Sequence, residues 1–183
     1  YSIKDFKLEQ LKANGDVHFS MISEQAFIDP INRNIDSKII ELIIFADNKP
    51  KFKVSSDKGY FNNKQNSLSL INNIKLLHIQ NNSNYNLIAD NLLWDLNKNQ
   101  INILGNIELS YNRSKLTSKK IIYDERQEKF FITGIRKYEY YKEENKGKIL
   151  ELESDNAVFD NKTNQITFTS NQKKVKSVIR IDL

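Results

Sequence analysis

The sequence predicts an all-β fold, in which one curved sheet of antiparallel strands folds over itself. Three observations support this prediction. β-Branched and aromatic residues dominate without a long helical stripe, apolar residues alternate with polar ones, and one pattern recurs about every 33 residues. The 183 residues are enough to bury a substantial core. We therefore expect a single domain over residues 1–183.

The repeat consists of about five units. Residues 52–76 align with residues 85–109, and related units begin near Phe19, Leu116 and Leu152. Each unit contains one apolar or aromatic anchor, and the variation in spacing falls in the loops, as expected for repeats. The anchors are spaced by 33, 33, 29 and 36 residues: Ile28, Phe61, Trp94, Tyr123 and Phe159.

The first strand of each unit changes the side on which its apolar residues lie. Leu87 and Ala89 alternate, a polar pair follows, and Leu92 and Trp94 continue on the opposite parity. Because strand side chains alternate with period two, this switch requires a bulge or a sharp bend. A polar pair stands at this position in all five units: Glu24–Gln25, Asp57–Lys58, Asp90–Asn91, Lys119–Lys120 and Asp155–Asn156.

A polar turn and a second strand complete each unit. Asp or Asn opens the turn, because these side chains bond to nearby backbone and tolerate left-handed conformations. The second strand alternates strictly, as in Leu68, Leu70, Ile74 and Leu76, except in the first unit, where residues 39–45 are largely apolar on both faces. We expect about ten antiparallel strands of roughly ten residues, each about 33 Å long.

Composition and motifs argue against several functions. The net charge of +5 comes from basic residues scattered among acidic ones, so we expect no nucleic-acid groove. The chain has no cysteine, hence no disulfide or thiolate metal site. His18 and His78 lack ligand spacing, and the carboxylates recur in every unit, which indicates turns and bends. We therefore expect no catalytic residue, no metal and no cofactor, and we predict that the protein is not an enzyme.

Several short motifs, in this order, resemble the LptC family of lipopolysaccharide-export proteins, which is related to LptA and OstA-like domains. The opening segment is LEQLKANGDVHFSMISEQAFID, from Leu8 to Asp29. VSSDKGYFNN, LIADNLLWD and ILGNIELSY follow. Gly15 occupies the family's glycine turn, and residues 104–107 occupy its Leu-x-Gly-Asn-Val strand, with Ile107 in place of valine. The resemblance covers about residues 3–170, although Asn72 stands where the pattern expects glycine.

The resemblance implies a twisted-boat β-jellyroll, or β-taco, that holds lipopolysaccharide acyl chains between its sheets. It also implies a periplasmic protein that passes the lipid from an inner-membrane ABC transporter to an LptA-like bridge protein. Its partners would be lipopolysaccharide, the permease subunits of that transporter and the bridge protein. Because Tyr1 is not an initiator methionine, we expect a preceding segment, and the resemblance implies that it is an inner-membrane anchor helix.

The apolar residues that lie on the same face of successive strands are predicted to line the lipid groove. The resemblance implies that the terminal strands pair with partner proteins. We expect the N-terminal edge to meet the transporter and the C-terminal edge to meet the bridge protein. The basic residues Lys173, Lys174 and Lys176 would disfavour self-pairing. The groove residues are Phe52, Val54, Leu68, Leu70, Leu87, Ile101, Ile103, Ile107, Phe130 and Ile132, and the edge residues are Phe6, Leu8, Thr167, Phe168 and Thr169.

Two alternatives remain. One is a soluble, LptA-like bridge subunit, which an anchor upstream of Tyr1 would argue against. The other is a β-solenoid carbohydrate-active enzyme or adhesin, which would need parallel coils and, for an enzyme, a unique acidic cluster. The sequence provides only repeated turn carboxylates.

Overall fold

The computed structural model describes residues 1–79, 85–143, 146–171 and 175–179. Over these residues all regular structure is β, and every strand pairing is antiparallel, as the alternation predicts. The strands are β1 Ser2–Leu11, β2 Val17–Ile28, β3 Ile35–Ala46, β4 Lys49–Asn62, β5 Ser67–His78, β6 Tyr85–Asp95, β7 Gln100–Tyr111, β8 Ser114–Asp124, β9 Lys129–Thr133, β10 Lys137–Glu143, β11 Lys146–Glu153, β12 Asn156–Asp160, β13 Gln165–Thr169 and β14 Lys176–Ile179.

Strands β1 to β8 form a meander in which each strand pairs with the next along the chain. This antiparallel order differs from the parallel coils of a β-solenoid, so the solenoid alternative is wrong for this chain. The first unit also has a second strand, because β3 pairs with both β2 and β4 over its length. Exposed Ile39, at φ 51°, marks the point where β3 changes its buried side.

The predicted change of buried side is confirmed at the polar pairs. In β6, Leu87 and Ala89 are buried, Asp90 and Asn91 are not, and burial continues on the opposite parity from Leu92. Strands β2, β4 and β8 behave in the same way. These positions lie side by side in the sheet and form one continuous bend, which we call the crease.

The extra residue at the crease lies in the facing strands and not in the polar pairs. Between Ile71 and Lys75 of β5 there are three residues, opposite two in β4, and Asn72 and Asn73 have φ of 66° and 51°. In β7 the same place holds Gly105 and Asn106, with φ of 77° and 40°. Because the inserted residue and the bend compensate for each other, β5 and β7 keep a single apolar parity.

The crease divides the sheet into two layers that fold over one another. Across the interior, the ring of Phe52 lies 5.3 Å from that of Tyr123, and the ring of Phe19 lies 5.4 Å from that of Trp94. We call the side opposite the crease the mouth. Layer 1 comprises β10, β11, β14 and residues 6–11, 17–23, 40–56, 74–79, 85–89 and 107–118, and layer 2 comprises β9, β12, β13 and residues 2–4, 25–38, 58–71, 91–104 and 120–124.

Beyond β8 no continuous strand runs from one layer to the other, because the strands are interrupted where the crease would continue. The first half of β8 pairs with β10 and its second half with β9, so the sheet forks. Strands β10, β11 and β14 continue layer 1, while β9, β12 and β13 continue layer 2. The fork explains why the described residues form fourteen strands and not the ten or so that the sequence predicts.

Candidate functional site

The ten predicted groove residues all face the space between the layers. Each is at most 2% exposed, and together they belong to one apolar cluster. Their shared inward side follows the predicted parity. They pack against one another and do not line an open channel, so their contact with lipid stays a prediction. Layer 1 contributes Phe52, Val54, Leu87 and Ile107, and layer 2 contributes Leu68, Leu70, Ile101, Ile103, Phe130 and Ile132.

An apolar cavity of about 210 Å³ lies at the fork. It lies between the ends of β6, β7 and β8 in layer 1 and the β12–β13 hairpin in layer 2. None of its lining residues is among the ten predicted positions, because the fork that creates it was not predicted. They are Tyr85, Leu109, Tyr111, Ser114, Leu116, Tyr138, Phe159, Asn164 and Ile166.

Tyr85 links this cavity to the packed interior. Its ring stacks on His78 at 4.6 Å and meets the edges of Phe130 and Phe159. Burial raises the pKa of the Tyr85 phenol well above its usual range, so the hydroxyl stays protonated. It donates a hydrogen bond to Asn161 Oδ1 at 3.3 Å. Tyr85 therefore joins the two layers both through its ring contacts and through this hydrogen bond.

A polar cleft adjoins the cavity and shares Tyr85 and Ser114 with it. The cleft has a volume of about 470 Å³, and Arg113 and Lys115 lie in its wall. The Arg113 guanidinium donates to the carbonyl oxygen of Lys142 at 2.7 Å, which fixes its position. An apolar cavity and a basic cleft thus lie side by side, an arrangement that suits an anionic amphiphile.

Two glutamates join the layers at the mouth. Glu125, in the turn after β8, lies 3.2 Å from His18 Nε2 of layer 1 and accepts a hydrogen bond from Trp94 Nε1 at 2.9 Å. Glu128, at the end of the same turn, pairs with Lys51 of layer 1. Lys51 is only 4% exposed, so its ammonium needs this partner. The sequence predicts none of these contacts of His18, Lys51, Glu125 and Glu128.

The repeated carboxylates serve turns and the crease. Asp29, Asp95, Asp124 and Asp160 each accept two backbone N–H groups within the next three residues. The backbone hydrogen bond from Thr163 is the largest of several influences that hold the pKa of Asp160 below its usual range. In the part of the chain that the structure describes, no group of three or more His, Cys, Asp or Glu side chains is placed to hold a metal.

The predicted edge residues lie in strands with one free side. Within the described ranges, β1 pairs only with β2 and β13 only with β12. Phe6, Leu8 and Phe168 are half-buried against the core, while Thr167 and Thr169 are exposed. Strand β14 forms a further edge in layer 1. Lys173 and Lys174 lie outside the described residues, and Lys176 begins β14. No helix within the described ranges is long and apolar enough to cross a membrane.

Comparison with known proteins gives one family and one fold. The family model described as "Lipopolysaccharide-assembly, LptC-related" matches residues 1–102. Sixteen chains of solved structures are similar. One is the crystal structure of LptH, the LptA homologous periplasmic component of the conserved lipopolysaccharide transport device from Pseudomonas aeruginosa. Its TM-score is 0.51 at 9% identity, over 89% of this chain and 95% of that chain. No curated protein matches the chain.

Proposed function

Because this chain belongs to the LptC-related family of lipopolysaccharide-assembly proteins, we propose that it binds lipopolysaccharide acyl chains between its two layers and passes the lipid onward. It would receive the lipid from an inner-membrane ABC transporter and deliver it to an LptA-like bridge protein. We place the protein in the periplasm, tethered to the inner membrane by a helix that precedes Tyr1.

The observation that carries this proposal is the continuous apolar interior that ends in the cavity at the fork. Acyl chains transferred from water to such a surface gain about 25 cal/mol per Å² of apolar area buried. The cavity provides a starting space, and the inward faces of both layers extend it. The antiparallel fold and its similarity to LptH are consistent with this use.

The basic cleft beside the cavity suits the phosphates of the lipid head group. Lys115 lies in the cleft wall, next to Ser114, which also lines the cavity. A lipid with its chain in the cavity and its phosphate near Lys115 would thus satisfy both regions. Arg113, held by the Lys142 carbonyl oxygen, supplies a second positive charge.

The two terminal edges suit the two protein partners. The edge of β1 would pair with the transporter, and the edge of β13 would pair with the bridge protein by strand addition. Both edges carry backbone groups that the sheet itself does not use, since each strand has one neighbour in the described part of the chain.

Site-specific photo-crosslinking to purified lipopolysaccharide tests lipid binding. Crosslinkers at Leu87 and Ile103, both fully buried between the layers, and at Leu116 in the cavity should capture the lipid. Crosslinkers at Ile88 and Asn102, on the opposite parity, are the matched controls and should not. Equal capture on both parities would contradict the proposal.

A further inference from the structure

The interior has little free volume for several acyl chains. The ten groove positions are at most 2% exposed, and the cavity of about 210 Å³ is smaller than the roughly 300–1,000 Å³ of typical small-molecule pockets. If acyl chains bind between the layers, as proposed above, the layers must move apart. The contacts that join them at the mouth then determine how lipid enters.

Those contacts come mainly from one turn, residues 125–128 between β8 and β9. Glu125 reaches His18 near the start of β2, and Glu128 reaches Lys51 near the start of β4. Each contact links residues far apart in sequence, across the opening between the layers. Lys162 lies 3.6 Å from the other carboxylate oxygen of Glu128, within layer 2.

Glu128 departs from the repeat in a way that points to a role beyond the turn. In all five turns this position has a left-handed backbone, with φ between 50° and 57°. Three of the equivalent residues, Asn66, Asn99 and Asn164, are asparagine, which tolerates this conformation well. Glutamate is less suited to it, so the turn alone does not account for Glu128. Its pairing with Lys51 does.

The chemistry of these contacts permits opening. Burial on its own raises the pKa of Glu128, but the hydrogen bond and charge of Lys51 outweigh it and lower the pKa, so the carboxylate is charged at neutral pH. When the layers part, water solvates both charges, which offsets the lost pairing. An apolar contact of the same area would expose apolar surface to water on opening, and no solvation of charge would offset that cost.

We propose that the 125–128 turn is a latch, and that its release from His18 and Lys51 admits acyl chains sideways through the mouth while the head group stays outside. This inference rests on the proposed function, because it concerns the route by which the same lipid reaches the interior.

A covalent bridge across the mouth tests the latch, and the absence of cysteine from the chain makes the test clean. The variant His18→Cys/Glu125→Cys is bridged with a short bismaleimide. A linker is used because His18 and Glu125 meet through long side chains, and cysteines at these positions need not be close enough for a direct disulfide. The control variant, Asn66→Cys/Asn97→Cys, joins two turns within layer 2, whose side chains are hydrogen-bonded at 2.9 Å.

The measurement is the initial rate at which purified lipopolysaccharide is captured by a photo-crosslinker at Ile103. The bridge across the mouth should lower that rate at least tenfold relative to the same variant without linker, and the control bridge should leave it unchanged. A second bridge, Lys51→Cys/Glu128→Cys, should reproduce the loss if the first variant folds poorly. Unchanged capture in a folded, fully bridged protein overturns the latch.

A single substitution gives an independent measurement. Glu128→Asn introduces the residue that three of the other four turns have and removes the pairing with Lys51, so it should raise the initial capture rate several-fold. The same or a lower rate would overturn the latch. If the chain that carries only the Ile103 crosslinker captures no lipopolysaccharide, the proposed function itself fails. If that chain captures the lipid and neither bridge across the mouth changes the capture rate, the latch alone is rejected.

Discussion

Three serine hydroxyls in the interior have no hydrogen-bond partner among the described residues: Ser23, Ser37 and Ser118. Small residues are required on the inner side of the crease, where the strands bend towards each other. A Cβ atom on Gly59, for example, would lie 2.4 Å from Ile40 Cδ1. Size and not hydrogen bonding therefore explains the serines, and each unpaired hydroxyl costs stability.

Ser118→Ala should leave the free energy of unfolding unchanged or raise it by up to about 1 kcal/mol, because it removes a buried, unpaired hydroxyl. The matched control is Ser56→Ala at the equivalent repeat position, where the hydroxyl donates to the Lys58 carbonyl oxygen at 3.1 Å. That substitution should cost about 0.5 to 1.5 kcal/mol. Urea denaturation of both variants measures the difference, and equal losses would contradict this account.

The individual site residues were predictable only where the repeat specifies them. Leu87 and Ile103 follow the alternation, so their inward side was visible in the sequence. Lys51 and Glu128 lie 77 positions apart, and no local pattern brings them together. The one available signal was Glu128 itself, which stands where three other turns have asparagine.

At the scale of elements, the bend in β4 and β6 was readable from parity, whereas the bulges in β5 and β7 were not. The inserted residue in β7 restores the parity that the bend would change, so the apolar pattern from Ile101 to Leu109 appears uninterrupted. Gly105 was visible as a glycine, but the need for it comes from Asp90 on the neighbouring strand.

Gly105→Ala tests how the crease is built. Gly105 has φ +77°, and a Cβ atom there would lie 2.5 Å from Asp90 Oδ2. The left-handed backbone alone should cost about 1–2 kcal/mol. Gly15→Ala is the control, because Gly15 has φ +88° with nothing within 4 Å of the added atom. Urea denaturation should show a larger loss for Gly105→Ala, and equal losses would show that Asp90 moves aside freely.

Asp90→Ala should itself cost only about 1 kcal/mol, since it removes one hydrogen bond, from Asn106 Nδ2 at 2.8 Å, at the outer side of the crease. In the Gly105→Ala background it should cost less or even stabilise, because it also removes the steric conflict. A double-mutant cycle measures this coupling. Additive effects would place the strain in the backbone alone.

Strands β10 and β11 carry a pH-dependent contribution at Glu139. Burial on its own raises the pKa of Glu139, but hydrogen bonds from Lys137, Lys148 and Tyr141 outweigh it and lower the pKa to about 2. A carboxylate with a lowered pKa in the folded state stabilises the fold above its unfolded value, here 4.5. That contribution is lost as the pH falls from 4.5 towards about 2.

Glu139→Gln should therefore lower the urea midpoint at pH 6, and the difference from the wild type should shrink steadily as the pH falls towards 2. Tyr141→Phe removes one hydrogen bond, at 2.9 Å, and should reproduce part of this dependence. A difference that stays constant from pH 6 to pH 2 would show that Glu139 acts through packing and not through its charge.

At the scale of the whole molecule, the repeat predicted a sheet folded over itself, but not the fork. The fork arises because residues 114–117 pair with β10 while residues 120–124 pair with β9, the next strand along the chain. The alternation of apolar residues in β8 does not show that its two halves have different partners. The cavity depends on the fork, so it could not be predicted from the local sequence pattern either. The family model, in contrast, matches residues 1–102, which precede the fork.

The two free edges determine how the molecule would assemble with others. If β13 adds a strand from the bridge protein, Thr167→Pro should weaken that pairing by distorting β13, because Thr167 pairs with Val158 of β12 and proline removes a backbone donor. Lipopolysaccharide capture at Ile103 should be unchanged, because Thr167 is exposed and lies outside the cavity wall. Binding to an LptA-like protein is measured by pull-down, with thermal unfolding as the control for an intact fold. Retained binding would indicate that the bridge protein contacts β14, the edge of layer 1, and not β13.

Self-association distinguishes a tethered donor from a soluble bridge subunit. The β1 edge carries Asp5, Lys7 and Glu9, whose charges disfavour indiscriminate strand pairing. Edges that prefer different partners leave no complementary surface for a second copy, and head-to-tail growth needs such a surface. We therefore expect the purified chain to sediment as a small, discrete species at all concentrations, and to bind an LptA-like protein at one edge. Concentration-dependent filaments formed by the chain alone would instead support the role of a soluble, LptA-like bridge.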